Sequence, residues 1–412
     1  MPLSQKFYIG NRQRLAADLK PESLAIIYSG REIQQSLDAN YPFYTDNNFY
    51  YLTGIEEANV TLVIVKDGNG EVTEQLFIDE PDPLKEKWVG AKILPDAAQK
   101  ISGVADIRFN GELEAFLLKV KDQGVRTLCF DFTMPKHQSF GTTDPKVKAF
   151  FETLEIFDLQ PILTKMRLIK QDEEIEALRQ AIALTHKGIE AIMKHIRPGM
   201  KEYQAQAVFE YTIKDLGAQG VSFQTIAASG ANATVLHYIK NQHTIQDHTM
   251  VLFDLGARLH GYCGDISRTI PANGRYEGNE ATVYSIVLEA QKELITMYKP
   301  GAKMKDIQER TREIFLEKCL ENNIVPKNND ISEFYYHGIG HSLGLDTHDT
   351  NDKRDYVLEP GMVITCEPGL YVAPLGIGVR IEDDILVTEN GPENLSPQIP
   401  KEMAEIEKIM RG

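Results

Sequence analysis

Four acidic residues of this chain stand inside or at the ends of apolar, strand-like runs, and that placement limits how it can fold. Asp254 follows Val251, Leu252 and Phe253; Asp265 stands in Gly264-Asp265-Ile266-Ser267-Arg268; Glu367 follows Met362-Val363-Ile364-Thr365-Cys366; Glu382 follows Gly378-Val379-Arg380-Ile381. A carboxylate removed from water is costly unless it is paired or bound to a cation. Taken singly, Asp254 reads as a turn cap or a partner of Arg268. Arg380 and Glu382, two apart on one strand face, read as a local ion pair. Leu259-His260-Gly261 reads as a turn, so the Asp254 and Asp265 segments form a hairpin. A period of two does not say which of Glu382, Asp383 and Asp384 points inward, because 382 and 384 share a side.

Three of the ten histidines fall in one glycine-spaced stretch, His337-Gly338-Ile339-Gly340-His341 to His348. No acid follows the first histidine, so this is not the HExxH zinc helix. Gly338, Gly340 and Gly344 miss the dinucleotide-binding spacing, and the glycines argue for strand and loop. Asp254, Asp265, His341, Glu367 and Glu382 together make four carboxylates and one imidazole. Clustered anions shift one another's pKa values strongly without counter-charge, and two divalent cations balance four negative charges. Oxygen-rich ligation with a single imidazole suits manganese, cobalt, iron or zinc better than a thiolate-type site does. A metal pair roughly 3.5–4 Å apart activates water and polarises a carbonyl, which points to amide hydrolysis. The segment from Asp349 carries Lys353 where an EF-hand needs a ligand and lacks its glycine. No GxxxxGK phosphate loop and no GxSxG elbow occurs.

The 412 residues suggest two or three domains. Segments 23–29, 60–66, 76–79 and 127–132 read as strands, and 112–121 and 144–154 as helices, which predicts an α/β first domain over 1–165. A second domain over 166–412 opens with an amphipathic helix from Ile175 to Ile196, ended by Arg197-Pro198-Gly199. That tripeptide and Lys299-Pro300-Gly301 each precede a helix, a histidine-bearing segment and two acid-bearing strands, a faint internal repeat. The formal charge of −16 disfavours nucleic acid, whose binding rests on Lys and Arg. No apolar run reaches the roughly 18 residues of a membrane helix. No secretory leader is predicted, and four cysteines without CxxC spacing fit a reducing cytoplasm.

At these residues the chain resembles the aminopeptidase P family of the pita-bread metallopeptidases. The ordered ligand set with Arg380 carries the resemblance. So do Tyr41-Pro42-Phe43, the run Asn48 to Gly54, and Trp88-Val89-Gly90. The resemblance implies an N-terminal creatinase-like α/β domain, then a pseudo-symmetric pita-bread domain with a dinuclear site, usually manganese-activated. It implies that Asp265 and Glu382 bridge the metals, with Asp254 on one and His341 and Glu367 on the other. His237 and His348 become catalytic and substrate-binding residues, and His348 contacts the scissile carbonyl. His337 lies near the substrate, and Tyr371 and Arg380 line or support the proline pocket. The implied substrates are peptides with proline second, cut before the proline by a homo-oligomer, a dimer or tetramer, with Trp88 near a neighbouring subunit's active site or in the core. An X-Pro bond has no N–H and a fixed φ, so a ring pocket and a metal serve better than strand-like gripping. Three alternatives remain: a prolidase on this scaffold; a more distant hydrolase of the scaffold acting on creatine-like amidines, which is expected to lack some metal ligands; and a metal-free binding protein, which the five filled ligand positions disfavour. The segment after Asp349 is short and polar, which leaves substrate length open.

Overall fold

The computed structural model describes residues 3–132, 144–325, 330–350 and 356–412. The chain forms two compact units, Pro2–Met166 and Arg167–Gly412.

Helix α1 (Gln5–Asp18) opens the first unit, capped by Ser4, whose hydroxyl accepts from the Phe7 amide. There follow β1 (Ser23–Tyr28), α2 (Asn47–Thr53), β2 (Thr61–Lys66), β3 (Val72–Ile78), α3 (Glu86–Val89), α4 (Pro95–Ser102) and β4 (Asp106–Phe109). Next come α5 (Leu113–Lys121), β5 (Thr127–Phe130), α6 (Pro145–Phe151), β6 (Glu155–Asp158) and α7 (Gln160–Leu168), which spans the division between the units. The strands form one mixed sheet in the order β4-β3-β2-β1-β5-β6. β1 pairs antiparallel with β2 and parallel with β5, and it is buried almost throughout, as a strand covered on both faces must be. Leu24, Ile26, Val63, Val65 and Phe77 share a core with Leu117, Val120, Val147 and Phe150 of α5 and α6.

Two departures from the sequence pattern have one cause. Apolar spacing does not predict α1, because its buried face mixes Asn11 and Arg12 with Phe7, Tyr8 and Leu15. It also starts β3 at Leu76, whereas the strand begins at Val72 and includes polar Glu74. Arg12 bonds Glu74 at 2.8 Å and the Leu52 and Ser102 carbonyls, so a buried cation ties both elements together. Trp88, on α3, is 88% exposed, so the core placement is wrong for this residue.

The second unit runs α8 (Asp172–His195), α9 (Glu202–Asp215), β7 (Gly220–Val221), β8 (Ile226–Ser229), β9 (Met250–Leu255), β10 (Ala257–Leu259), β11 (Tyr262–Cys263) and β12 (Ile266–Pro271). It continues with α10 (Gly278–Ile295), α11 (Met304–Glu321), β13 (Val363–Cys366), β14 (Gly369–Val372), β15 (Ile377–Arg380), β16 (Asp383–Thr388), β17 (Gly391–Asn394) and α12 (Met403–Arg411). Leu178, Ile182, Ile189 and Ile192 form the buried face of α8, and Asp172, Glu173 and Glu174 complement its N-terminal dipole.

The internal repeat is real at the level of single hydrogen bonds. Gly199 donates to the Ile245 carbonyl as Gly301 does to Leu358; Ile245 donates to Met200 as Leu358 does to Ala302; Glu202 donates to His243 as Met304 does to Tyr356. Lys201 bridges Thr244, and Lys303 bridges Val357 in the same way. Each half thus presents a helix pair and an antiparallel sheet: β12-β9-β8 in the first, β13-β16-β17 in the second. Two glycines let the backbone close up beside the acids. A Cβ on Gly256 would overlap the Gly264 carbonyl oxygen, and one on Gly340 the Thr365 carbonyl oxygen.

Arg268, which is fully buried, locks the corner between β12 and β16. It donates to the carbonyls of Ser267, Glu382, Ile399 and Pro400 and pairs with Asp383 at 2.7 Å. Burial works against the Asp383 charge, but Arg268 and Lys401 outweigh it and hold the carboxyl below the usual range. Arg268→Met is expected to lose about 3–5 kcal/mol, because a buried anion loses a partner. Asp383 has a depressed pKa, so its pairing stabilises above the ordinary carboxylate pKa of about 3.9 and is lost as pH falls through the lower folded value. Urea denaturation should therefore show a gap between parent and variant that is full at pH 7 and narrows on acidification.

Candidate active site

The hairpin places the first two acids. Asp254 faces Ser267 across the β9–β12 ladder, and the chain turns at His260 and Gly261, both at positive φ, between β10 and β11. Asp265 lies just before β12. Glu367 lies between β13 and β14, and Glu382 between β15 and β16. Ser267 Oγ sits 3.1 Å from Asp254 Oδ1 and 2.8 Å from Glu382 Oε2, linking the two halves of the acid set. Thr365 does the same for the other side: it accepts from the His341 amide and lies 3.4 Å from Glu367 Oε1. No motif marks either hydroxyl, although each stands two residues from an acid, in the strand that the acid flanks.

The five predicted ligands come together. His341 Nε2 is 3.4 Å from Asp265 Oδ2 and 3.5 Å from Glu367 Oε1. One ligand atom each from Asp265, His341 and Glu382 lie within 4.8 Å of one another. His341 Nδ1 lies 3.1 Å from the Ser342 carbonyl, so the hydrogen-bond pattern puts the proton there. Nε2 then faces the carboxylate oxygens of Asp265 and Glu367. Carboxylates gathered around an imidazole nitrogen make a donor set that a cation can satisfy. Burial first, then Asp254 and other neighbouring acids, pushes the Asp265 carboxyl well above its ordinary pKa. Burial and Asp265 do the same to Glu382. Glu367 is raised by burial and partly relieved by His341 and Arg380. The oxygen-rich donor set with one imidazole fits a hard or borderline divalent ion.

The three consecutive acids divide their tasks. Glu382 faces the cluster, Asp383 pairs with Arg268 and Lys401, and Asp384 is buried 3.4 Å behind the Asp265 amide. The simple pairings are not found: Asp254 does not pair with Arg268, nor Arg380 with Glu382. Arg380 reaches Asp254 of β9 at 2.6 Å instead, and also bonds Ser267 Oγ and Tyr371 Oη. Arg380 and Glu382 meet only through Ser267 Oγ, which lies within hydrogen-bond distance of both.

Arg380 starts a relay. Its guanidinium donates to Tyr371, the Tyr371 hydroxyl donates to His337 Nε2 at 2.8 Å, and His337 Nδ1 donates to the Gly338 carbonyl at 2.7 Å. That pattern requires a neutral His337, and burial followed by the Arg380 charge lowers its pKa to about 3. His348 packs against His341 with ring centroids 4.0 Å apart. It opens onto the cleft, yet desolvation, then charge on His341 and His237, lowers its pKa to about 4. Behind it, buried Asp349 is held by Arg167 at 2.5 Å and Lys170 at 2.8 Å.

All five candidate ligands, with His237, His337, His348 and Arg380, line one cleft of about 820 Å³. Tyr371 supports its wall from behind. Phe223, Leu236 and Ile239 add an apolar side that sequence reading missed, since isolated apolar residues in loops carry no period. Lys353 and Arg354, the other candidate cations for a substrate carboxylate, lie outside the described residues.

Residues 176–389 match the profile of Metallopeptidase family M24, and residues 8–128 that of the aminopeptidase P N-terminal domain. The Xaa-Pro aminopeptidase of Escherichia coli K12 is 32% identical, covering 99% of this chain and 98% of its own length. The chain belongs to metallopeptidase family M24, in its aminopeptidase P branch. Human Xaa-Pro aminopeptidase 3 is also 32% identical, over 99% of this chain and 86% of its own. The structure of E. coli aminopeptidase P with the inhibitor Pro-Leu superposes with a TM-score of 0.92 at 32% identity, covering 100% of this chain and 99% of the other. This M24 protein is thus a hydrolase with the pita-bread fold and an aminopeptidase P N-terminal domain. Among its described residues no helix is long and apolar enough to cross a membrane.

The electrostatics of the acid cluster generate a test. In Asp265→Asn one of the mutually repelling charges is gone. The metal-free variant is expected to be at least as heat-stable as the metal-free parent, while the rise in Tm on adding Mn2+ shrinks sharply. Cys263→Ala, two residues away, should keep the full rise. A normal Mn2+ response in Asp265→Asn removes this residue from the ligand set.

Proposed function

We propose that this chain is a dinuclear metal-dependent aminopeptidase that hydrolyses the bond between an N-terminal residue and a following proline. The observation that carries the reading is the convergence of His341 Nε2 with the carboxylates of Asp265, Glu367 and Glu382 in one cleft. Asp265 and Glu382 would bridge two ions, Asp254 would hold one, and His341 with Glu367 the other. When bound, the ions activate water and polarise the scissile carbonyl; manganese is the proposed metal. An E. coli aminopeptidase P has been solved with zinc substituted and product bound, which supports metal use by relatives without fixing the metal here.

The rest of the work falls to the protein's own groups. His348, neutral at physiological pH, donates a hydrogen bond to the substrate carbonyl as charge develops on its oxygen. His237 faces the same cleft and fixes the substrate backbone. Tyr371 and Arg380 wall the proline pocket. Arg380 is already engaged by Asp254 at 2.6 Å, so it is poorly placed to neutralise a free proline carboxylate. This favours an aminopeptidase over a prolidase. Pro-Leu, the inhibitor bound to the E. coli enzyme, has the form of the leaving half of an Xaa-Pro-Leu substrate, which supports the same choice. Exposed Leu84, Trp88 and Val89 support a homo-oligomer in which that surface is covered. We place the protein in the cytoplasm.

Removing metal with a chelator should abolish cleavage, and Mn2+ should restore it. His348→Ala is expected to lower kcat by about 10²–10³ with metal content unchanged, the usual effect of losing one such donor; loss of metal in this variant would make His348 a ligand. The decisive comparison is kcat/KM for one Xaa-Pro dipeptide and for the same peptide extended by one and two residues. The extended peptides should be strongly preferred. A preference for the dipeptide identifies a prolidase.

A further inference from the structure

The side chain of His237 makes no hydrogen bond among the described residues. Its segment leaves β8 at Ser229, passes through Tyr238 and returns at His243. One carboxylate holds both ends and the middle. Glu202, at the first turn of α9 and fully buried, accepts at Oε1 from the Ser229 amide (2.8 Å), the Ser229 hydroxyl (2.6 Å) and the Asn232 amide group (3.0 Å). At Oε2 it accepts from the Tyr238 hydroxyl (2.8 Å) and the His243 amide (2.9 Å). We propose that Glu202 is the positioning residue for His237.

The internal repeat separates this role from a scaffold role. The backbone bonds around Glu202 recur around Met304, which stands at the equivalent place in the second half and is also buried. The architecture therefore tolerates an apolar side chain at this point. Only the first half places an acid there, and its five donors all come from the segment that carries His237. Burial opposes the charge, but the donors of Ser229, Asn232 and His243 outweigh it and keep the carboxyl below its ordinary pKa. No lysine or arginine among the described residues pairs with it, and its hydrogen bonds all run to this segment. Tyr238, next in sequence to His237, is the direct link: with its ring buried and its hydroxyl on Glu202, the neighbouring imidazole is turned into the cleft.

The inference rests on the proposed peptidase reading for what His237 does, not for how it is held. Glu202→Gln keeps the volume. The Ser229 and His243 amides, however, approach different oxygens, so the new NH2 group must face a backbone N–H whichever way it turns. In the Mn2+-loaded enzyme Glu202→Gln should lower kcat/KM on an Xaa-Pro-Yaa peptide at least about tenfold, with metal per chain unchanged. In a His237→Ala background the same change should cost less than about twofold, because the two residues act as one unit. An equal loss in both backgrounds overturns the proposal. Histidine-ring NMR of the Zn2+-loaded protein, with the His237 signal assigned from His237→Ala, reads the positioning directly. That signal should move in Glu202→Gln while that of His186, in the middle of α8 and within the field of Arg268, stays. An unmoved His237 signal overturns the proposal even if the chain cleaves no Xaa-Pro peptide, so the two readings fail separately. Tyr238→Phe, which removes one donor at almost no volume change, should shift the same signal in the same direction, and it supplies the test if Glu202→Gln does not fold.

Discussion

Repulsion among buried carboxylates is the constraint on which the second unit is organised. Asp265, Glu367 and Glu382 are each driven toward the protonated form by burial and by neighbouring acids. No arrangement of apolar side chains relieves that, and Arg380, the lysine or arginine that lines the cleft among the described residues, is bound to Asp254. The fold answers by duplication. Two similar helix-and-sheet halves each contribute acids, and Ser267 and Thr365 hold those acids in register. A site assembled this way is set for counter-ions that the chain itself does not supply.

The direction of the pKa shift sorts the buried acids by task, though only together with geometry. Asp349, Asp383 and Glu202 are held below their ordinary values, the first two by cations and the third by hydrogen-bond donors. These acids anchor neighbouring structure: Asp349 behind His348, Asp383 at the corner after Glu382, Glu202 beneath the His237 segment. The cluster acids are raised. Glu174 is raised as well, to about 7, by burial against the pull of Lys170, yet its oxygens are taken by the Gln171 amide at the start of α8 and by the Tyr262 hydroxyl. A raised carboxyl alone therefore says that charge is poorly compensated; convergence with an imidazole nitrogen is what makes a cation site.

Much of this was legible in the sequence because a carboxylate after Val-Leu-Phe or Val-Ile-Thr-Cys is an anomaly that chemistry must resolve. The long face of α8 and the Pro-Gly ends before α9 and α11 were legible for the same reason: period and breaker agree. The first unit was harder to read. In α1 a buried arginine interrupts the apolar spacing, and in β3 its partner Glu74 makes a strand look like loop, so one long-range ion pair hides two elements. The cleft's apolar side was invisible, since Phe223, Leu236 and Ile239 come from irregular segments that only the fold brings together.

The partner of Arg380 was also beyond sequence reading, and it carries weight for substrate choice. Spacing alone joins Arg380 to Glu382. Glu382 lies past the end of β15 and joins the cluster, while Arg380 reaches Asp254 of β9, with Tyr371 and then His337 in series behind it. The relay consumes the guanidinium on three acceptors and keeps His337 neutral, so the wall beside the proposed proline pocket is polar and locally charge-balanced. Such a wall accepts a neutral peptide linkage after the ring at little cost. A terminal carboxylate would arrive beside four acids with no free cation among the described residues that line the cleft. The charge distribution that motivates the proposed metal centre is thus the same one that motivates the proposed preference for a longer peptide.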